Sequence, residues 1–553
     1  MKLILKDYLL QLKEKDELDL LLCDLLLQSG YVTDTVPKTG NRQFGVDIQA
    51  HKENELLLCV VKQGNINRKV WSDGQNSVEQ SLNEILNVYL RNLAPRDQKR
   101  KFHIAVITNG VLEEAVKLDW DGFADRNQMW NGKKIDYDFW GIDCIVEKAE
   151  NNLFDEYLFS SDLQTAMRKA LYFVGEPDYK NVFFEHIINV YIEKTQNYID
   201  GKGSNKHPDK QLGKLLSGLH LAVQMIAQYA SRAKCYKIAV MVSEYLLISY
   251  WKYLHYNQLF EKKYYITWLI KFCRSYEKWC SQYYLAVRMC CEKKDAFPVY
   301  DIVEQRVLLY EVAGFLASYA YYLYEAGYDE ARQVVHTIIC LIDNNPQFWY
   351  APYDGHIGIV TMIYRLVMKT GTQDDIYTLM NIQTMRLMNY YKLLKKYPTP
   401  TDSFQDAIDI EMCNIVEEYE TSGLWGYILL WIGVLREEGL YGRLKNFLDG
   451  DLEKVTKCVW FLRENEEQSF YGYGAMKAGE GIELKTEKDF HTFVEKIDYI
   501  FAQYKEECFS YEKYSFSALE MLVCRYYGYV PRVVVEDGQE KTETQAGKQV
   551  LVF

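Results

Sequence analysis

The 553 residues are 48% hydrophobic and 25% charged, an ordinary globular composition long enough for roughly two to four domains, and this excludes a disordered or fibrous chain. The formal charge of −13, with the first ~160 residues net acidic too, excludes a generic polyanion-coating protein, so nucleic-acid contact would need a local basic patch. Only 10 prolines beside 46 tyrosines favour long uninterrupted helices packed through phenol rings.

In chain order, Leu10 to Ser29 reads as an amphipathic helix closed by Gly30. An extended run, Tyr31 to Val36, and a polar turn, Lys38 to Arg42, follow. Two strand-like runs come next, FGVDIQA (Phe44–Ala50) and LLLCVVKQG (Leu56–Gly64), separated by a hairpin-like HKENE. A helix over Val78 to Leu93 carries Leu82, Ile85, Leu86 and Tyr89 on one face. A basic loop, Arg96 to Lys101, leads into the buried strand HIAVITNG. A helix from Leu112, a strand over Ile135 to Ile145 and a helix near Val146 complete the alternation. This order predicts an α/β domain with a mixed central sheet over residues 1–160.

From about Leu163 the strand signal nearly stops, which predicts a large all-α, helical-repeat-like region over 161–530, with a break near 200–212. Within it, Leu316 to Pro346 resembles a tetratricopeptide-type hairpin: a tight turn at Ala326-Gly327-Tyr328 joins two helices, and Ala331 is the small residue at their contact. No 34-residue register surrounds it, so the expectation is solenoid-like. Residues 531–553 read as a flexible polar tail.

The 13 cysteines include no CxxC pair and the nine histidines no HExxH, so zinc-ligand spacing is absent. Dispersed thiols and a charged start without a secretory core predict a cytoplasmic protein. The most apolar segment, Leu424 to Leu435, is too short to span a bilayer. Gly472 to Gly481 lacks Walker spacing and reads as a loop.

One constellation carries chemistry. GNRQFGVDIQA (Gly40–Ala50) and CVVKQGNI (Cys59–Ile66), followed by HIAVITNG and DFWGID (Asp138–Asp143), resemble the strands of the PD-(D/E)xK superfamily, in particular its Mrr-type branch, over roughly residues 10 to 155. The resemblance implies a restriction-endonuclease-like fold that uses Mg²⁺ or Mn²⁺. It makes Asp47 the first metal carboxylate and Lys62 the catalytic lysine. It also points to an acidic residue in the first helix, and Asp19 stands eleven before Gly30-Tyr31. Such a cation polarises the scissile phosphate and activates water, while the lysine offsets developing charge.

The sequence departs from the pattern two residues before Lys62, where Val60 replaces the usual acidic or amide residue. Two readings follow. In one, the second carboxylate comes from the next helix, VEQSLNEIL, through Glu84 or else Glu79. In the other, the domain is a degenerate nuclease on a helical scaffold that binds a partner protein or nucleic acid. Asp19 reads equally as a site residue or a solvated helix face. Asn65, Asn67, Arg68 and Lys69 read as phosphate-backbone contacts or as a solvated loop, and Arg96 to Lys101 as a surface loop.

The leading expectation is a divalent-metal-dependent DNA endonuclease, RNA not excluded. Its helical region would be regulatory and protein-docking, as in effectors of bacterial anti-phage defence.

Overall fold

The computed structural model describes residues 2–35, 44–74, 76–152, 159, 161–176, 179–201, 208–297, 302–349, 354–371, 373–394, 421–461, 480–503 and 518–533. The predicted turn Lys38–Arg42, most of the Gly472–Gly481 loop and the 534–553 tail lie outside these residues. The chain forms two compact units, Met1–Cys235 and Tyr236–Phe553.

In the first unit, helices α1 (Lys2–Leu9) and α2 (Asp19–Gln28) precede strands β1 (Val32–Thr35), β2 (Ile48–Lys52) and β3 (Glu55–Lys62). Short α3 (Arg68–Ser72) and α4 (Val78–Glu84) then lead to β4 (Lys101–Thr108), α5 (Glu114–Arg126), β5 (Met129–Trp130), β6 (Lys133–Trp140) and α6 (Ile142–Asn152). The six strands lie in the order β1-β2-β3-β4-β6-β5. The first three form an antiparallel meander, while β3, β4 and β6 run parallel, so the sheet is mixed. Helical crossovers are what parallel neighbours require, and α3–α4 and α5 supply them.

The near-continuous apolar run of β3 follows from its position between β2 and β4, with both faces covered. Its alternate residues Leu56, Leu58 and Val60 join Leu82 and Ile85 from the α4 segment and Trp71, Trp120 and Phe123 in one core. Three further helices, α7 (Ser161–Tyr172), α8 (Val182–Ile199) and α9 (Pro208–Arg232), belong to this compact unit. The change in secondary structure at about residue 160 is therefore not where compactness divides.

Two predicted elements are shifted. The single helix expected over Leu10–Ser29 is interrupted: the chain turns after α1, makes a π-helical turn at Glu14–Leu18, and only then enters α2. The charged run Lys13-Glu14-Lys15-Asp16-Glu17 leaves that stretch without an apolar stripe to bury. The strand expected to reach Ile145 stops at Trp140, because Ile142 and Ile145 are buried as helix residues of α6.

The second unit is mostly helical: α10 (Tyr236–Tyr256), α11 (Lys263–Cys291), α12 (Ile302–Glu325), α13 (Ala331–Asn344), α14 (Ile357–Thr370) and α15 (Gln373–Leu394). The hairpin foreseen at Leu316–Pro346 is present as α12 and α13, with Gly327 at φ +81° in the turn and Ala331 buried. Beyond it lie β7 (Thr421–Ser422), α16 (Gly423–Leu435), α17 (Glu438–Gly450), β8 (Thr456–Phe461), β9 (Glu480–Glu483), α18 (Phe490–Gln503) and α19 (Ala518–Tyr527).

Strands β7, β8 and β9 form a small sheet, so the region is not all-α. The sequence concealed it because these strands are only two to six residues long. Helix α19 is held by buried charge: the Glu520 carboxylate, 0% exposed, meets Arg365 at 2.8 Å and Arg532 at 3.5 Å. Arg525 Nε donates to Glu244 Oε1 at 2.7 Å. Among the described residues no helix is long and apolar enough to cross a membrane.

Candidate functional site

The site lies where β2 begins and β3 ends. The Asp47 backbone N–H donates to the Cys59 carbonyl at 2.9 Å, extending the β2–β3 ladder, and the Val61 N–H donates to Asp47 Oδ2 at 2.7 Å. One carboxylate oxygen is thereby fixed against the strand that carries Lys62. Burial raises the Asp47 carboxyl above its ordinary value, while the Val61 N–H and the Lys62 charge pull the other way. Glu14 adds to the rise and Lys15 opposes it. The charges of Lys62, Glu14 and Lys15 thus all reach Asp47.

Glu14 is the group the sequence reading missed. Its place in the run KEKDE made it look solvated. Two amides hold the preceding segment at the end of β3. Gln63 Nε2 donates to the Leu12 carbonyl at 3.1 Å, and Asn109 Nδ2 donates to the Leu9 and Leu12 carbonyls at 2.9 Å each. The same Asn109 accepts from the Gly64 N–H at 2.8 Å. Buried Asn109 thus ties the chain break after α1 to the turn that follows Lys62. A Cβ on Gly110 would stand 2.3 Å from the Gly64 carbonyl carbon, so only glycine permits these two turns to approach. A signal existed in the sequence: an Asn-Gly pair at the end of a buried strand, and a charged interruption between Leu12 and Leu18.

The other predicted residues divide. Val60 is fully buried in the core against α4, two residues before half-buried Lys62 on the same side of the strand. A carboxylate at 60 would be in that core, whereas Lys62 stands where the strand leaves it. Glu79 and Glu84 line an open cleft of about 360 Å³ with Ser72, Gly74, Ser77 and Gln80. Glu84 Oε1 accepts from Gln80 Nε2 at 3.3 Å, and the charges acting on Asp47 are those of Lys62, Glu14 and Lys15.

Helix α4 itself is close to the site. Gly45, at φ +82°, leaves no room for a Cβ, which would meet the Ser81 carbonyl at 2.1 Å. Asp19 is 5% exposed, and its Oδ1 accepts from the Leu20 N–H at 2.8 Å in the first turn of α2. It neighbours Cys23, whose thiol is pushed up to about 11 by burial first and then by Asp19 and Asp24.

Asn65 and Asn67 have structural tasks: Asn65 Oδ1 accepts from the Val111 N–H at 3.2 Å, and Asn67 caps α3 through the Val70 N–H at 3.0 Å. Arg68 and Lys69 are exposed. The Arg96–Lys101 loop precedes β4 at Lys101, while Lys62 pairs with Thr108 at the other end. Seven residues of strand put them about 23 Å apart. Asp97 also pairs with Arg96 and Arg100.

Among the described residues no group of three or more His, Cys, Asp or Glu side chains is placed to hold a metal ion. Mg²⁺ needs only one or two protein carboxylates and completes its shell with water and substrate oxygens. At Asp47 burial outweighs the Val61 N–H and the two lysine charges, so the ionised carboxylate is disfavoured. Comparison with known protein families, curated proteins and solved structures finds no match to this chain.

Proposed function

We propose that the first unit is a divalent-metal-dependent phosphodiesterase of the restriction-endonuclease-like type, acting on DNA. The observation that carries this is Asp47 held by the Val61 N–H beside the end of the strand that carries Lys62, in a mixed sheet, with the charge of Glu14 felt at Asp47. Asp47 and Glu14 would hold Mg²⁺ or Mn²⁺. The bound cation would supply Lewis-acid polarisation of a phosphate and a more acidic water. Lys62 would neutralise charge on the scissile phosphate, its ammonium reaching out where β3 leaves the core. Asn109 and Gln63 are positioning residues, because they act on the site only through the Leu9 and Leu12 carbonyls. The helical second unit would regulate the enzyme or dock a protein partner.

Full-length protein with Mg²⁺ or Mn²⁺ is expected to nick or degrade DNA. Lys62→Ala should reduce the rate by about 10²-fold or more, the scale for losing one preorganised electrostatic group. Undiminished cleavage by Lys62→Ala would sink the assignment. The burial of Val60 in the core favours a second reading, a degenerate nuclease domain that only binds. Calorimetry distinguishes the two: Asp47→Ala abolishes Mg²⁺ or Mn²⁺ binding if the site is live, and no metal binding by either protein supports the scaffold.

A further inference from the structure

The net-acidic chain carries one aromatic and basic surface that its sequence does not reveal. Tyr172, at the end of α7, is 77% exposed, Phe173 is 37% exposed, and Val182 at the start of α8 is 56% exposed. The rings form an ordered set. Tyr172 meets Phe173 edge-on at 5.1 Å, and Phe173 stacks on Phe183 at 5.6 Å and 23°. Tyr179 supports Phe183 from behind at 5.6 Å and also stacks on buried Phe184 at 6.2 Å.

Exposed cations flank these rings along the chain. Arg168 and Lys169 are exposed one turn before Tyr172, and Lys180 is exposed just ahead of α8. A Cβ on Gly175 would lie 4.0 Å from Ala233, which brings the end of α9, with exposed Arg232 and Lys234, to the same place. The acidic residues described in the same stretch are exposed Glu176 and, one turn into α8, half-buried Glu185.

We infer that this surface is a stacking platform for single-stranded nucleic acid. Exposed rings accept any base face, and interleaved cations follow the phosphate chain. Two exposed rings and a valine are too little apolar area for a bilayer-inserting face, and a cationic rim on a chain of charge −13 complements a polyanion. The choice of polymer rests on the DNA reading of the first unit. The site is separate from Asp47 and Lys62, so binding and cleavage are tested independently.

The experiment is fluorescence anisotropy of full-length protein with a labelled oligothymidylate of about 20 nucleotides, in EDTA at low salt. Wild type should bind. The Tyr172→Ala/Phe173→Ala double variant should bind about tenfold more weakly, the equivalent of one lost base stack. Tyr172→Phe should keep its affinity. Lys169→Glu with Lys180→Glu should weaken binding and flatten its salt dependence. Binding is read in EDTA and cleavage with Mg²⁺, so a cleavage failure leaves the platform standing.

The rings to be removed are exposed, and circular dichroism would verify that each variant keeps its helices. Absence of wild-type binding, or equal affinity in every variant, would overturn the inference. So would loss of binding to phosphatidylserine vesicles, but not to the oligonucleotide, in the same variants.

Discussion

The two units treat buried charge in opposite ways. At the end of β3, Asp47 is partly buried with one backbone donor, the charges of Lys62, Lys15 and Glu14 act on it, and burial disfavours its ionised form. In the helical unit, Glu520 is buried completely, yet its carboxyl lies below the ordinary value. Burial would raise it, but Arg365 and Arg532 overrule that effect. In the first arrangement desolvation outweighs the nearby lysines, and the carboxylate lacks a close counter-ion pair of the kind Glu520 has. The second is closed on itself and gives one docking position for α19.

The largest effect should come from opening that closed set. Glu520→Gln leaves Arg365 and Arg532 buried without their counter-ion, and the helical unit should lose about 3–5 kcal/mol in urea unfolding, read by hydrogen exchange in α14 and α19. A loss below about 1 kcal/mol would show that water reaches the arginines and that the contrast between the units is false.

His356 tests the same interior by pH. It is buried, stacked on Tyr310 at 4.0 Å, and burial lowers it from 6.5 to about 3. A depressed folded value means the unfolded chain takes up a proton while the native chain stays neutral. Stability is therefore full above 6.5 and falls as pH drops toward 3, by on the order of 2 kcal/mol at about pH 5. His356→Phe keeps a ring against Tyr310 and should remove this slope from the pH dependence of Tm. An identical slope in both proteins would refute the assignment.

The smallest effect is at Asp47, and its sign is opposite to that at Glu520. A raised carboxyl stabilises the metal-free fold least when ionised. Stability should rise as pH falls from neutrality through its folded value, and Asp47→Asn should melt slightly higher than wild type at pH 7 in EDTA. Mg²⁺ should raise the wild-type Tm and leave the Asn variant unmoved. Equal melting of the two proteins with and without Mg²⁺ would place Asp47 outside any cation site.

Much of the architecture was legible because it is written in neighbours along the chain. Alternation and turn residues located the β2–β3 hairpin, β4 and β6, and helical periodicity located the long helices of the second unit, including the α12–α13 hairpin. The nearness of Asp47 to the end of β3 was readable for the same reason, since a short hairpin sets the register that brings the start of β2 there.

What only the tertiary structure decided depends on residues far apart in sequence. The chain just before Glu14 is tied to the end of β3 because Gln63 binds a carbonyl 51 residues away and Asn109 binds one 100 residues away, contacts with no local periodicity. The aromatic and basic surface gathers side chains from three helices, none of which carries the pattern alone. The side of β3 that accepts α4 assigned Val60 to the core and left Glu79 and Glu84 in a separate cleft. Local propensity chooses the elements; packing of their apolar faces chooses which charged side chains meet.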